Sequence, residues 1–98
     1  MKLKVPSKNY GIVELYDAVA TAMGHNNVSE LEYDCRKVNI AKNIQDGIYE
    51  NYLELGREQK LSEYDVRVGV TMLLACSGPK VDENLADNEV EVFEGFIC

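Results

Sequence analysis

Few residues of the chain have side chains suited to covalent or acid–base catalysis: one histidine, His25, and three cysteines, Cys35, Cys76 and Cys98. A cysteine becomes an effective nucleophile when a base such as histidine is held against its thiol. His25 follows Gly24, which is typical of the turn that ends a helix, and nothing in the local sequence orients a cysteine toward it. We therefore expect an exposed turn histidine and reduced thiols without a catalytic pair, with Cys76 buried in a helix.

The sequence also lacks the groupings that hold metals, phosphates or cofactors. A zinc site needs four grouped cysteine or histidine ligands, and the spacing here groups none. The acidic segment DENLADNE, residues 82–89, offers oxygen ligands but departs from a calcium loop, because Ala86 stands at the third ligand position and Asp87 replaces the required glycine. Glycine-rich phosphate loops are absent. These features predict a non-enzyme with no metal and no cofactor.

Charge is distributed unevenly along the chain, whose formal net charge is −7. Residues 1–9 carry three lysines and no acid, whereas residues 80–98 carry one lysine and six acids. This balance argues against a broad phosphate-binding surface and suits binding to a basic surface of another protein. The expected partner-binding residues are four acids without an evident internal partner and one tyrosine beside the apolar stripe of its helix: Asp82, Glu83, Asp87, Glu94 and Tyr49.

Length and hydropathy indicate one small acidic domain that spans residues 1–98. The longest apolar run, Val70 to Cys76, is far shorter than the roughly 20 residues that a membrane helix needs. The N-terminal segment MKLKVPSKNY has lysines but lacks the apolar stretch of a signal peptide. We expect a cytoplasmic protein that makes no contact with membranes.

Two segments alternate charged and apolar residues, as strands with one buried face do: KLKV near the start and EVEVF near the end. Their charges are opposite. If the two strands pair, Lys2 and Lys4 face Glu89 and Glu91, and each cross-strand pair contributes about 0.2–1 kcal/mol. The acidic row of the C-terminal segment is then neutralised within the chain, and the apolar residues of both strands face the helices.

Two helices follow from apolar spacing and end signals. Between residues 9 and 23 the apolar residues recur three and four positions apart, and Gly24 supplies the left-handed conformation that ends a helix. A later helix begins at the N-cap Ser62 and ends at the Ser-Gly-Pro sequence after Cys76. Gly69 lies inside this helix at a cost of about 1 kcal/mol, so we expect a close helix–helix crossing there.

The middle of the chain allows two interpretations. The first is a single helix over residues 30–55, because a capping box of Ser29 and Glu32 precedes apolar residues at helical spacing. The second places a short strand in RKVNIA, where Val38 and Ile40 are β-branched and alternate, and resumes the helix after it. We predict helix throughout. The expected fold is then α+β, with three helices packed on a small sheet formed by the N- and C-terminal strands.

Residues 36–74 resemble a ribbon–helix–helix module of DNA-binding repressors, with KVNIA as the ribbon and two helices after it. The residues that would face the DNA groove are Lys37, Asn39 and Ala41. The resemblance implies an alternative function as a dimeric DNA-binding transcriptional regulator. Ala41, however, has no side chain able to read bases, and the acidic balance is wrong for phosphate contacts.

The C-terminal segment GPKVDENLADNEVEVFEGFI resembles the ends of small uncharacterised proteins of phages and prophages of low-GC bacteria. This resemblance implies an accessory role in the cytoplasm of a bacterial host. Our leading hypothesis is a phage-encoded inhibitor, similar in role to anti-CRISPR proteins. Its acidic surface would bind a basic groove of a host nucleic-acid-binding or defence protein. A further alternative is a structural or assembly protein of a phage that forms homodimers or larger oligomers through a helical face.

Overall fold

The computed structural model describes residues 1–26 and 33–96. Within these residues the elements follow one another as β1 Lys2–Lys4, α1 Ile12–Ala22, β2 Val38–Ile40, α2 Lys42–Glu58, α3 Glu63–Ser77, β3 Lys80–Val81 and β4 Glu89–Val92. A single 3-10 turn, Cys35–Lys37, leads into β2. The predicted α+β class is confirmed, with three helices and a sheet in the described part of the chain.

The sheet has the strand order β1-β4-β2-β3. Strand β4 is antiparallel to both β1 and β2, and β3 is parallel to β2. The predicted pairing of the two terminal strands is confirmed, because Lys2 stands opposite Glu91 and Lys4 stands opposite Glu89. The sheet therefore joins segments from the start, the middle and the end of the sequence.

The prediction of one long helix over residues 30–55 is wrong for its first part. Residues 38–40 form strand β2, and helix α2 begins only at Lys42. Val38 and Ile40 are fully buried on the inner face of the sheet, and the pairing of this segment with β4 and β3 makes it a strand. The capping box of Ser29 and Glu32 lies outside the described residues.

Strand β3 lies in the segment that the sequence indicates as a polar linker. Its two residues pair with β2, Lys80 opposite Asn39 and Val81 opposite Ile40. The amide of Asp82 extends the pairing by donating to the carbonyl oxygen of Ile40 at 2.9 Å. A strand of two residues is too short to show alternation, so only the tertiary contact with β2 identifies it.

The helices cover one face of the sheet and enclose one hydrophobic core. The core residues of the sheet and of α1 and α2 are almost completely inaccessible to solvent: Leu15, Tyr16, Val19, Val38, Ile40, Ile44, Ile48, Val90 and Val92. Tyr16 packs on Tyr33 and Phe96, with ring centroids 5.3 and 5.7 Å away. This aromatic group connects α1 to the segment before β2 and to the segment after β4.

Helices α2 and α3 form an antiparallel hairpin, residues 42–77, and they pack closely at Gly56. A Cβ built on Gly56 would lie 2.5 Å from Cγ2 of Val66, so only glycine fits there. Ser62 caps α3 as predicted, its hydroxyl accepting a hydrogen bond from the amide of Asp65 at 3.1 Å. The close crossing predicted at Gly69 is not found in the described chain, because a Cβ on Gly69 would meet nothing within 4 Å.

Candidate functional site

Three of the four acids predicted to bind a partner lie together in the turn between β3 and β4, which we call the acidic turn, residues 82–88. Glu83 and Asp87 are exposed there, and Asp82 is half-buried. Glu94 follows the other end of β4, roughly 20 Å from Asp87 at the usual rise of an extended chain. The four acids therefore do not form one surface, since β4 separates Glu94 from the other three.

The acidic turn is held by hydrogen bonds rather than left free. A carboxylate oxygen of Asp82 accepts from the amide of Asn84 at 2.9 Å. The side-chain nitrogen of Asn43 on α2 donates a hydrogen bond to the side-chain oxygen of Asn88 at 2.8 Å. The backbone amide of Asn88 donates in return to the side-chain oxygen of Asn43 at 2.9 Å. The turn thus presents Glu83 and Asp87 from a fixed backbone, which lowers the entropy cost of binding a basic partner.

The solvent face of the sheet balances its own charges. Across the four strands Lys2, Glu91, Asn39 and Lys80 stand side by side in register. No ion pair within 4 Å joins the β1 lysines to the β4 glutamates in the described structure, and Lys4 donates instead to the carbonyl oxygen of Asp87 at 3.0 Å. The negative charge of the β4 glutamates is therefore offset by the positive charge of neighbouring lysines on the adjacent strand, without direct ion pairs between the described side chains.

Tyr49, the fifth predicted residue, connects the two helices of the hairpin. Its hydroxyl lies 2.6 Å from the hydroxyl of Thr71 on α3, and the guanidinium of Arg67 lies over its ring at 5.7 Å from the centroid. The side chain is half-buried. Much of its contact surface is therefore used within the chain, and the part that remains open lines a cavity of about 480 Å³ with Arg36 and Lys80.

Among the described residues, the most exposed apolar surface belongs to α3, and sequence reasoning missed it. We define the outer α3 face by five exposed residues, Tyr64, Val68, Gly69, Met72 and Cys76. Asp65 is exposed on the same side, about 20° from Met72 around the helix. Tyr64 and Met72 are 76% and 62% exposed, whereas Val70 and Leu74 of the same helix are 5% and 9% exposed. At about 100° per residue, Met72 points about 160° away from both buried residues. Helix α3 is thus apolar on the side that faces solvent as well as on the side that faces the core.

A shallow groove between the helices continues this apolar surface. It has a volume of about 450 Å³, and Leu55, Leu61, Val66, Gly69 and Leu73 are among the residues that line it. Of the nine large apolar side chains that the described residues expose, six belong to the α2–α3 hairpin, so the exposure is concentrated there. Contiguous apolar surface of this kind marks interaction sites in globular proteins.

The signal for this face was present in the sequence. From Val68 to Cys76 the chain has no charged residue, so no position in two turns of helix is marked as facing water. A helix that is apolar all round is normally buried on all sides. That rule predicts a neighbour on each side of α3, and the described chain supplies one on only one side.

Cys76 is exposed, which corrects the prediction that it is buried. The error follows from the same feature, because Cys76 lies four residues after Met72 on the outer α3 face. His25 is exposed in the turn after α1, as expected. Within residues 1–26 and 33–96, no three histidine, cysteine or acidic side chains are grouped closely enough to hold a metal ion. No helix among the same residues is long and apolar enough to cross a membrane.

Two titratable groups that precede β2, Asp34 and Arg36, have shifted pKa values. The side chain of Arg36 donates two hydrogen bonds to the carboxylate of Asp34, at 3.0 and 3.1 Å, and its amide donates a third at 3.0 Å. These bonds hold the pKa of Asp34 below its usual value and raise the pKa of Arg36. The pair stabilises the start of the 3-10 turn.

The order β2, α2, α3 is the order that the resemblance to ribbon–helix–helix proteins implies. In this chain β2 is an inner strand, paired with β4 on one side and β3 on the other. Asn39 lies between Glu91 and Lys80, and Ala41 is buried with its amide bonded to the carbonyl oxygen of Glu89. A DNA backbone that approached this strand would meet the carboxylates of β4, which oppose phosphate binding.

Comparisons of the chain with protein-family models, with curated proteins and with solved structures find no match. A functional hypothesis must therefore start from the two surfaces described above, the outer α3 face and the acidic turn.

Proposed function

We propose that this chain is a non-catalytic protein-binding domain whose main contact surface is the outer α3 face. The observation that carries the proposal is the exposure of Tyr64, Val68 and Met72, which lie on successive turns of one helix and are 76%, 40% and 62% exposed. Large apolar side chains at this spacing are the usual anchors of a helix that docks against another protein. Covering them removes apolar surface from water, which is the dominant favourable contribution to most protein association.

The fold supports this role because α3 is fixed from behind. Val70 and Leu74 anchor it to the core, Gly56 allows it to pack closely against α2, and the Ser62 cap stabilises its first turn. The face is therefore presented by a rigid helix rather than by a loop. A preorganised contact surface loses little conformational entropy when the partner binds.

Photo-cross-linking in cells that make the protein tests this proposal. A photo-reactive phenylalanine derivative is placed at Met72 on the outer α3 face or, as a matched control, at Val13, an apolar residue of α1 that is 52% exposed. We expect discrete protein adducts from position 72 and none from position 13. Equal yields from the two positions, or none from position 72, would contradict the proposal.

The acidic turn supports a second candidate function, the acidic inhibitor of a nucleic-acid-binding or defence protein. The favouring observation is that Asp82, Glu83 and Asp87 lie on one hydrogen-bonded turn, with Glu83 and Asp87 exposed. Binding of this turn to a basic groove should weaken steeply as salt rises, whereas contacts of the α3 face should not. The same cross-linker at Glu83, with adduct yield measured at low and high salt, separates the two candidates.

DNA binding by residues 36–74 stays an alternative proposal with its own test. A gel shift with a DNA fragment from upstream of the coding sequence should show no retarded band if the chain acts through protein contacts. A band that disappears when Lys37 is replaced by glutamate would favour the regulator, since Lys37 is exposed directly before β2.

A further inference from the structure

We propose that the partner of the outer α3 face is the same face of a second copy of this chain, so that the protein is a two-fold symmetric dimer with α3 packed antiparallel on α3. This inference rests on the proposed function, since it names the occupant of that surface.

The shape of the face is self-complementary. Met72 is a bulky exposed side chain, and Gly69, one helical turn before it, is an exposed position without a Cβ, where an added methyl group would meet nothing within 4 Å. If a two-fold axis passes between residues 69 and 72, Met72 of each copy lies over Gly69 of the other. In a two-fold symmetric interface, if residue i of one copy contacts residue j of the other, then residue j of the first copy also contacts residue i of the second. One projecting side chain and one notch on the same face are therefore sufficient to form both contacts.

This arrangement also gives the interior glycine a physical role. Glycine at the middle of a helix costs about 1 kcal/mol relative to alanine, and no contact within the described chain requires it. At a crossing point, in contrast, the missing side chain lets two helix axes approach to the short end of the usual 8–10 Å separation. The close crossing that the sequence indicated at Gly69 is then formed between copies instead of within one.

The area of the surface suits a small dimer interface that covers the outer α3 face and extends into the adjoining groove. The exposed parts of the six large apolar side chains of the hairpin amount to on the order of 600 Å² per copy, which is an upper limit because Tyr64 and Leu73 point about 180° apart on α3. At this limit two copies reach about 1,200 Å², the lower end of the range for specific interfaces. The six side chains are Leu55, Leu61, Tyr64, Val68, Met72 and Leu73.

The charge of the face favours another copy over a basic partner. The chain as a whole has a net charge of −7, so two copies repel each other over most of their surface. On α3, however, Glu63 is paired with Arg67 at 3.1 Å, and the outer side has one remaining charge, Asp65. In the antiparallel arrangement the two Asp65 residues are about 16 Å apart along the axis, which exceeds the Debye length of about 8 Å at physiological salt. The interface therefore forms where repulsion is weakest, and added salt should strengthen the dimer.

Sedimentation equilibrium of the purified full chain over a wide concentration range tests the inference. We expect the mean mass to rise with concentration from the 11.0 kDa of one chain to twice that value, with tighter association at higher salt. Met72→Glu places a charge at the centre of the interface and should weaken association by about a hundredfold. Val13→Glu, at the exposed apolar position on α1, should leave association unchanged.

Gly69→Ala provides the sharpest variant because its two expected effects have opposite signs. The single-chain fold should become more resistant to urea, since alanine is the better helix former and has room for its methyl group. The dimer should dissociate about tenfold more readily, since the methyl group fills the notch that receives Met72. A gain in stability with unchanged association would place the dimer contact elsewhere.

The inference is overturned if the chain is a monomer at every concentration, or if Met72→Glu leaves the dimer intact. Its failure can be told apart from failure of the proposed function by the cross-linker at position 72. A monomeric chain that still gives a discrete adduct with a different protein keeps the face as an interface and rejects self-association. A monomeric chain that gives no adduct rejects both.

Discussion

Helices α2 and α3 pack against each other, yet they have different relations to solvent. On α2 the inner side is apolar, with Ile44, Ile48 and Leu53 buried, while the exposed side is mostly charged. The charged residues on that side are Lys42, Asp46, Glu50, Glu54, Arg57 and Glu58. On α3 both sides are apolar, although only one is covered within the chain. The difference indicates that α2 has a role only in the fold of the chain. Helix α3 has a role in the fold and also presents a surface to another molecule.

The largest expected difference between the helices is in their tolerance of truncation. Ile48→Ala on α2 should lower the free energy of unfolding by about 2–5 kcal/mol, because the side chain is completely buried and its removal leaves a cavity. Met72→Ala on α3 should change it by less than about 0.5 kcal/mol in the monomer. Urea unfolding at a concentration too low for association measures both. A comparable loss at Met72 would mean that the residue is buried within the chain.

The two helical glycines should respond to alanine with opposite signs. Gly56→Ala brings a methyl group to 2.5 Å from Cγ2 of Val66, a stiff β-branched side chain, so we expect a loss of about 1–3 kcal/mol. Gly69→Ala has open space around it and should gain about 0.5–1 kcal/mol through helix propensity. Thermal unfolding of dilute samples distinguishes the two. Losses at both positions would show that Gly69 is also a contact inside the monomer.

A charge-reversal cycle compares the sheet with the helices. Replacing Lys2 and Lys4 by glutamate should destabilise the fold, and replacing Glu89 and Glu91 by lysine as well should restore part of the loss. The coupling should be about 0.2–1 kcal/mol for each facing pair, because the partners are adjacent in register but are not joined by close ion pairs. Comparison of the quadruple variant with the lysine-pair and glutamate-pair variants gives the coupling free energy. Strictly additive effects on the free energy of unfolding would argue against the strand pairing.

The smallest expected effect is the pH response of Asp34. Its pKa is lowered in the folded chain, chiefly by the side-chain hydrogen bonds from Arg36, so the stabilisation is present above the unfolded-state pKa and is lost as pH falls through the folded-state value. Arg36→Gln should move the pKa of Asp34 up toward its usual value. An NMR titration of the carboxyl carbon measures it, and Lys37→Gln, which removes a weaker contribution, should produce a smaller shift.

Sequence patterns predicted those parts of the fold in which one segment carries a complete signal. β1 and β4 alternate clearly and carry opposite charges, which predicted both their existence and their pairing. Ser62 and Gly24 marked helix ends that the structure confirms, the latter with a φ of 95°. In each case a local physical cause, alternation, capping or a left-handed turn, acts within a few residues.

The remainder of the fold depends on contacts between distant segments. The apolar residues of RKVNIA have both the spacing of a helix and the alternation of a strand. The segment is a strand because it pairs with β4. The two residues of β3 become a strand only because β2 lies beside them. Neither outcome can be obtained from local propensity, since the partner strand lies about 50 or 40 residues away along the chain.

The candidate surfaces likewise combine features that local sequence predicts with features that depend on the tertiary structure. Composition identified the acids, but the separation of Glu94 from Asp87 follows from the direction of β4, which charge counting does not include. Cys76 was expected to be buried because exposed and buried apolar residues have the same sequence pattern where a helix carries no charges. The exposed apolar side of α3 becomes visible only when the structure shows that Val70 and Leu74 are buried in the core and that Val66 is partly buried against it.

The two outer strands of the sheet limit how these molecules can aggregate. β1 has three residues, two of them lysines, and Pro6 follows soon after it; β3 has two residues and is directly preceded by Pro79. Strands so short, charged and close to proline give an incoming chain almost no backbone on which to add. The edges of the sheet therefore disfavour fibril growth from the folded protein.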